Sequence, residues 1–80
     1  MNGDATLAEL DRAIIAAHGR GDKRALADLY HQAGQQFLAQ GQTGRAGFLL
    51  TQAYVLALDC GNREHAAVLW GWLKAEGREN

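Results

Sequence analysis

Proline is absent from this chain of 80 residues, and cysteine and methionine occur once each. Without proline nothing forces a kink or a stop, so each helix must be ended by another residue. The single cysteine, Cys60, cannot close a disulfide within the chain. It falls where a helix is expected to end, and it is read as a small, partly buried hydrophobe. Charge of one sign is also scarce, with a formal net charge of -1. A nucleic-acid binder needs clustered Lys and Arg to displace counterions from phosphates. Here Arg12, Arg20, Lys23, Arg24 and Arg45 are interleaved with acids or glycines, so no nucleic-acid partner is expected. Long apolar runs are missing too. The longest uncharged stretch, Ala46 to Leu58, is thirteen residues and contains Gly47, Thr51 and Gln52, short of the roughly 20 residues that span a bilayer. The opening MNGDATLAEL carries Asp4 and no basic segment leading into an apolar run, which argues against a secretory signal. The expectation is a cytoplasmic protein with no membrane contact.

What the chain does have is 48% hydrophobic residues, 21% charged residues and ten glycines. That is too apolar for a disordered chain, and a chain of this length buries only roughly 60% of its unfolded surface, enough for a single core. One domain over residues 1–80 is therefore expected, of all-α class. Four helices can be placed. Thr6-Leu7-Ala8-Glu9 fits a capping box, and Leu7, Leu10, Ala13, Ile14 and Ala17 repeat at the spacing of one buried stripe, which predicts a first helix over 7–18 with Gly19-Arg20-Gly21 as its exit. Asp22 caps a second, over 23–40, with the stripe Leu26, Leu29, Tyr30, Ala33, Phe37 and an end at Gly41. Gly34 lies inside it, where glycine costs about 0.5 to 1 kcal/mol relative to alanine, so a neighbouring helix is expected to approach it closely. Thr43 begins a third helix, over 44–60, whose run Phe48 to Leu58 leaves so little polar face that burial on several sides is expected. Gly61 closes it, Asn62 caps a fourth over 63–76, and Gly77 ends that one.

The halves repeat. At an offset of forty, Gly21 pairs with Gly61, Asp22 with Asn62, Lys23 with Arg63, Ala27 with Ala67, Leu29 with Leu69 and Tyr30 with Trp70. Upstream, Leu10, Ala13, Ile14 and Ala17 fall on Leu50, Ala53, Tyr54 and Ala57; after a gap of four, 37–41 falls on 73–77. The duplicated unit is a helix-turn-helix hairpin, so the expected architecture is four antiparallel helices as two tandem hairpins.

Within Ala27 to Leu58, Tyr30 is a large first-helix residue, Ala33-Gly34 a small pair, Phe37 an aromatic one turn on, and Gly41 the turn. Ala46, Leu50 and Ala53 then follow as small, large and small residues of the next helix. This pattern resembles a tetratricopeptide repeat, a helix pair of about 34 residues. Leu58 stands where that family usually has proline, a departure that lets the third helix run longer. The resemblance implies a right-handed stack whose first helices line a groove for peptides or partner proteins. Carried over residue by residue, the groove is lined by Asp28, His31, Gln35 and Leu38, then by Val68, Trp72 and Lys74.

Stacks of this kind normally need three or more repeats, and this chain has two hairpins. In the fourth helix Ala66, Leu69, Trp70 and Leu73 form one stripe toward the chain's own core, while Val68, Trp72 and Ala75 form a second with no helix left to cover it. Homodimerisation through the fourth helix is the expected cover, since a two-fold interface lets a patch cover its own copy. Among the aromatics, Tyr30, Phe37, Tyr54 and Trp70 are expected in the core, and Trp72 and Phe48 partly exposed.

Chemical motifs are missing. No two of His18, His31 and His65 stand four residues apart, as two metal ligands on one helix face would, and Cys60 with His65 straddles a helix break. The histidines are expected at helix ends or on the surface. The glycines at 19, 21, 41 and 44 lack the Gly-Lys-Ser/Thr ending of a phosphate loop. No nucleophile, base and orienting group can be assembled, so no catalytic residue, metal or cofactor is expected. The expected function is a non-catalytic protein-protein interaction module, with His31, Gln35, Leu38, Val68 and Trp72 as contact residues. The alternative is a helical protein that binds a small apolar ligand between hairpins or at a dimer interface, lined by Trp70, Trp72, Tyr54 and Phe48.

Overall fold

The computed structural model describes residues 6–75, and these form four helices with no strand among them: α1 (Leu7–Arg20), α2 (Lys23–Ala39), α3 (Thr43–Asp59) and α4 (Arg63–Ala75). Each packs on its neighbours in sequence, α2 on α3 most extensively. Short turns between them make consecutive helices antiparallel, in two hairpins.

The starts follow from side chains that satisfy orphan amides. Thr6 accepts from the Glu9 N–H while Glu9 accepts from the Thr6 N–H. Asp22 accepts from the Ala25 N–H at 3.1 Å, and Asn62 from the His65 N–H at 3.3 Å. The first residue of α3 is Thr43, one position earlier than expected, and Gln42 before it makes no side-chain cap. The ends are three copies of one turn. Gly21, Gly41 and Gly61 all take positive φ (67°, 77° and 77°). In each turn the glycine N–H reaches back three residues (to His18, Leu38 and Leu58), and the following N–H reaches back five (to Ala17, Phe37 and Ala57). This is the paired bonding of the Schellman motif, which needs a left-handed residue that glycine adopts without strain. It lets α1 continue through Gly19 and Arg20, two residues beyond the expected end. The expected end at Gly77 lies outside the described residues.

The core is built from small residues at helix crossings. Ala27, Leu50, Ala53, Ala57, Ala66, Leu69 and Leu73 form one buried cluster. At the α2–α3 crossing a Cβ on Gly34 would lie 2.7 Å from Leu50 Cγ and 3.4 Å from the Ala46 carbonyl oxygen, which is the close approach that a mid-helix glycine predicts. Buried positions keep the offset of forty through both hairpins: Leu10 with Leu50, Ala17 with Ala57, Leu26 with Ala66 and Ala33 with Leu73. No gap is needed before Leu73.

α3 is buried on the sides it turns to α2 and α4, as expected, and its remaining side is open: Phe48 is 64% exposed, Val55 50% and Leu58 52%. One expectation is corrected. The two tryptophans exchange places. Trp70, expected in the core, is 38% exposed, whereas Trp72, expected partly exposed on a stripe with no helix to cover it, is half-buried against the core cluster. On a helix turning 100° per residue the two lie on opposite flanks of the buried Ala66–Leu69–Leu73 stripe. The Trp72 flank is shared with His65, one heptad earlier, and faces α2.

Candidate interaction surface

Asp28, His31, Gln35 and Leu38 recur at spacings of three and four along α2, so they share one face, the face turned toward α4. α2 and α4 are too far apart for backbone contact, and side chains cross the gap. His31 Nδ1 lies 2.9 Å from His65 Nε2, with ring centroids 5.1 Å apart. His65 Nδ1 is buried without a hydrogen bond and faces the Asp28 carboxylate at 3.6 Å. A carboxylate only accepts, so its charge favours the tautomer with the proton on His65 Nδ1. His65 Nε2 is then the acceptor, His31 Nδ1–H the donor, and His31 Nε2 carries the free lone pair. Burial is the main influence that holds the His31 pKa below its ordinary value; the His65 charge adds to it and Asp28 opposes it.

The expected contact residues are thus divided. His31, Leu38 and Trp72 are half-buried, and the last two rest on the core cluster. Gln35 and Val68 are exposed. Lys74 is exposed too, four residues beyond Trp70 and on its flank, away from the α2 side. His31 and His65 are not independent surface residues as expected from sequence; they form a direct polar contact between α2 and α4. They are 34 residues apart, not the forty of the sequence repeat, so the repeat does not point to this pairing. His18 does lie exposed near a helix end, with Nε2 3.3 Å from the Tyr30 hydroxyl.

A second surface went unread in the sequence. Gly44, Phe48, Thr51, Val55 and Leu58 alternate spacings of four and three along the outer side of α3, the pattern of a helix-pairing seam. Thr51 donates its hydroxyl to the Gly47 carbonyl at 2.8 Å, so its polar group is engaged within the helix. Leu58 connects this seam to α4, because with Tyr54, Arg63, Ala66, Ala67 and Trp70 it lines a shallow cavity of about 240 Å³. The Tyr54 and Trp70 rings lie 5.6 Å apart there. Of the four aromatics expected to line one ligand cavity, only this pair stands together; Trp72 is on the opposite flank of α4, and Phe48 lines a separate cavity of about 400 Å³ with Phe37, Gly44, Arg45 and Leu49.

No family model matches the chain, and neither a curated protein nor a solved structure does. Among the described residues no three or more His, Cys, Asp or Glu side chains are gathered for a metal ion.

Proposed function

We propose that this protein is a small non-catalytic interaction module of tetratricopeptide-like helical repeats that associates with a second copy of itself. The observation that carries the proposal is the position of Trp70. By the offset of forty it is the counterpart of Tyr30, which packs against the core cluster on the helix that α3 covers. Trp70 has the same place in the second hairpin, and the described residues supply no helix to cover it. Tyr54 and Leu58 extend this apolar surface onto α3, toward Val55 and Phe48. An apolar residue such as Leu58 contributes about 1.5–3 kcal/mol when taken fully out of water, so a two-fold pairing of this surface supplies a useful fraction of a small domain's stability.

Sedimentation equilibrium over a wide concentration range tests self-association. The wild type is expected to dimerise, and Trp70→Asp to dissociate it while the helical circular dichroism is kept. Trp72→Asp is the contrast: because Trp72 rests on the core, its replacement is expected to lower thermal stability first. A wild type that stays monomeric at every concentration rejects the proposal. The ligand-binding alternative is favoured by the cavity between Phe37, Phe48 and Leu49, and native mass spectrometry of freshly purified protein separates the two, since a retained adduct supports the ligand.

A further inference from the structure

We propose that Asp28, His65 and His31 form a proton-operated clasp that holds α4 against α2 at neutral pH and releases it on acidification, independently of self-association. The geometry is a chain of three groups: the Asp28 carboxylate 3.6 Å from His65 Nδ1, and His65 Nε2 2.9 Å from His31 Nδ1. No backbone contact joins these two helices; the imidazole pair is a polar tie across the gap, beside the apolar cluster that holds Ala27 of α2 with Leu69 and Leu73 of α4.

Counting protons shows how the tie breaks. With both rings neutral, one N–H lies between the two facing nitrogens. A first added proton leaves that bond in place: the pair then holds three protons on four ring nitrogens, and one facing nitrogen still accepts. The charge of Asp28 favours this singly charged state. A second added proton puts an N–H on both facing nitrogens, so two donors of like charge meet at hydrogen-bond distance and the tie becomes repulsive. The two protonations are coupled steps of one pair.

Few other charges bear on the pair. The charges that act on His31 are His65 and Asp28. α3 packs against both α2 and α4, and its two charged residues are engaged elsewhere: Asp59 with Lys23 Nζ at 2.9 Å, and Arg45 over the Phe37 ring at 5.8 Å. On the same α2 face Arg24 is exposed, and on α4 Glu64 beside His65 is exposed.

Trp72 reports the opening, because it lies one heptad beyond His65 on the same flank of α4. In a Trp70→Phe background, where Trp72 is the sole tryptophan, its fluorescence is expected to shift to the red reversibly as pH falls through the second protonation, with helix content retained. His31→Gln in that background keeps a neutral donor toward His65 and is expected to abolish the shift. Imidazole NMR titration of the wild type supplies a readout that needs no variant: the His31–His65 pair is expected to take up its two protons in two separated steps, each sensed by both rings. Independent titration of both rings in the ordinary range overturns the proposal, as does a Trp72 shift that survives His31→Gln.

Discussion

Glycine acts with opposite sign at two places within these helices. Gly34 faces Leu50, whose side chain is fully buried and cannot swing aside, with Cγ 2.7 Å from the position a Cβ would take. Gly34→Ala is therefore expected to destabilise the fold by about 1–3 kcal/mol, the usual cost of overpacking. Gly19 lies in α1 with nothing within 4 Å of its added Cβ. Gly19→Ala should stabilise by about 0.5–1 kcal/mol through helix propensity alone. Urea titrations of both variants check the pair, and a shift in the same direction for both contradicts the packing account. Asp22 gives a pH prediction at the same scale. The Ala25 N–H is the main cause that holds its carboxyl below the ordinary value; desolvation opposes it, and the Arg20 guanidinium assists. A carboxyl with a lowered folded-state pKa stabilises the fold above its unfolded pKa, and that contribution is lost as pH falls toward the folded value. Asp22→Asn keeps an accepting oxygen for the cap and removes the proton, so its stability is expected to fall less than the wild type's below about pH 4, the ordinary aspartate range. His31 works in the same direction at higher pH: the fold favours its neutral form, so its contribution is present above about 6.5 and declines below that.

At the scale of the element, each described helix end is a Schellman turn with glycine at positive φ, repeating every twenty residues at Gly21, Gly41 and Gly61. An L side chain in that conformation costs about 1–2 kcal/mol. Gly41→Ala is expected to lower stability by that amount, although open space surrounds its Cβ position. Thermal unfolding measures it, and an unchanged midpoint would mean that the turn relaxes into another form. These turns were legible from sequence because glycine is required by one residue's own backbone. The helices and the close approach at Gly34 were legible for a related reason: caps, stripes and small residues act locally or between chain neighbours. The flanks of α4 were not. Trp70 and Trp72 stand nearly symmetrically about the buried stripe, so periodicity cannot say which of them faces α2. That depends on how far α4 slides along α2. His31 is the ninth residue of α2 and His65 the third of α4, so the register at the clasp is offset by six residues, about 9 Å at 1.5 Å per residue. No single helix encodes that slide, and the histidine clasp was hidden with it.

For the whole molecule the question is whether a chain of two hairpins continues into a longer stack or closes. Head-to-tail growth would place α1 of one copy on α4 of the next, as α3 sits on α2 within the chain. That crossing depends on Gly34 under Leu50, and Gly47 of α3 is buried as well. At the offset of forty the counterpart of Gly34 is Lys74, and Leu7 is where Gly47 has its counterpart. Both replace glycine with a long side chain, Lys74 exposed and Leu7 half-buried. A helix therefore cannot approach α4 as closely as α3 approaches α2, and open-ended growth is obstructed on both surfaces. The Trp70 surface, set apart from these positions and continued by Leu58 of α3, can still pair with its own copy about a two-fold axis, which uses each patch once and leaves none free. The expected result is a weight-average mass that rises with concentration and levels at twice the monomer, fitted by one monomer–dimer equilibrium. A mass that goes on climbing would show that head-to-tail contacts form despite Lys74 and Leu7, and the contact to mutate would then be the α1–α4 pairing in place of the Trp70 surface.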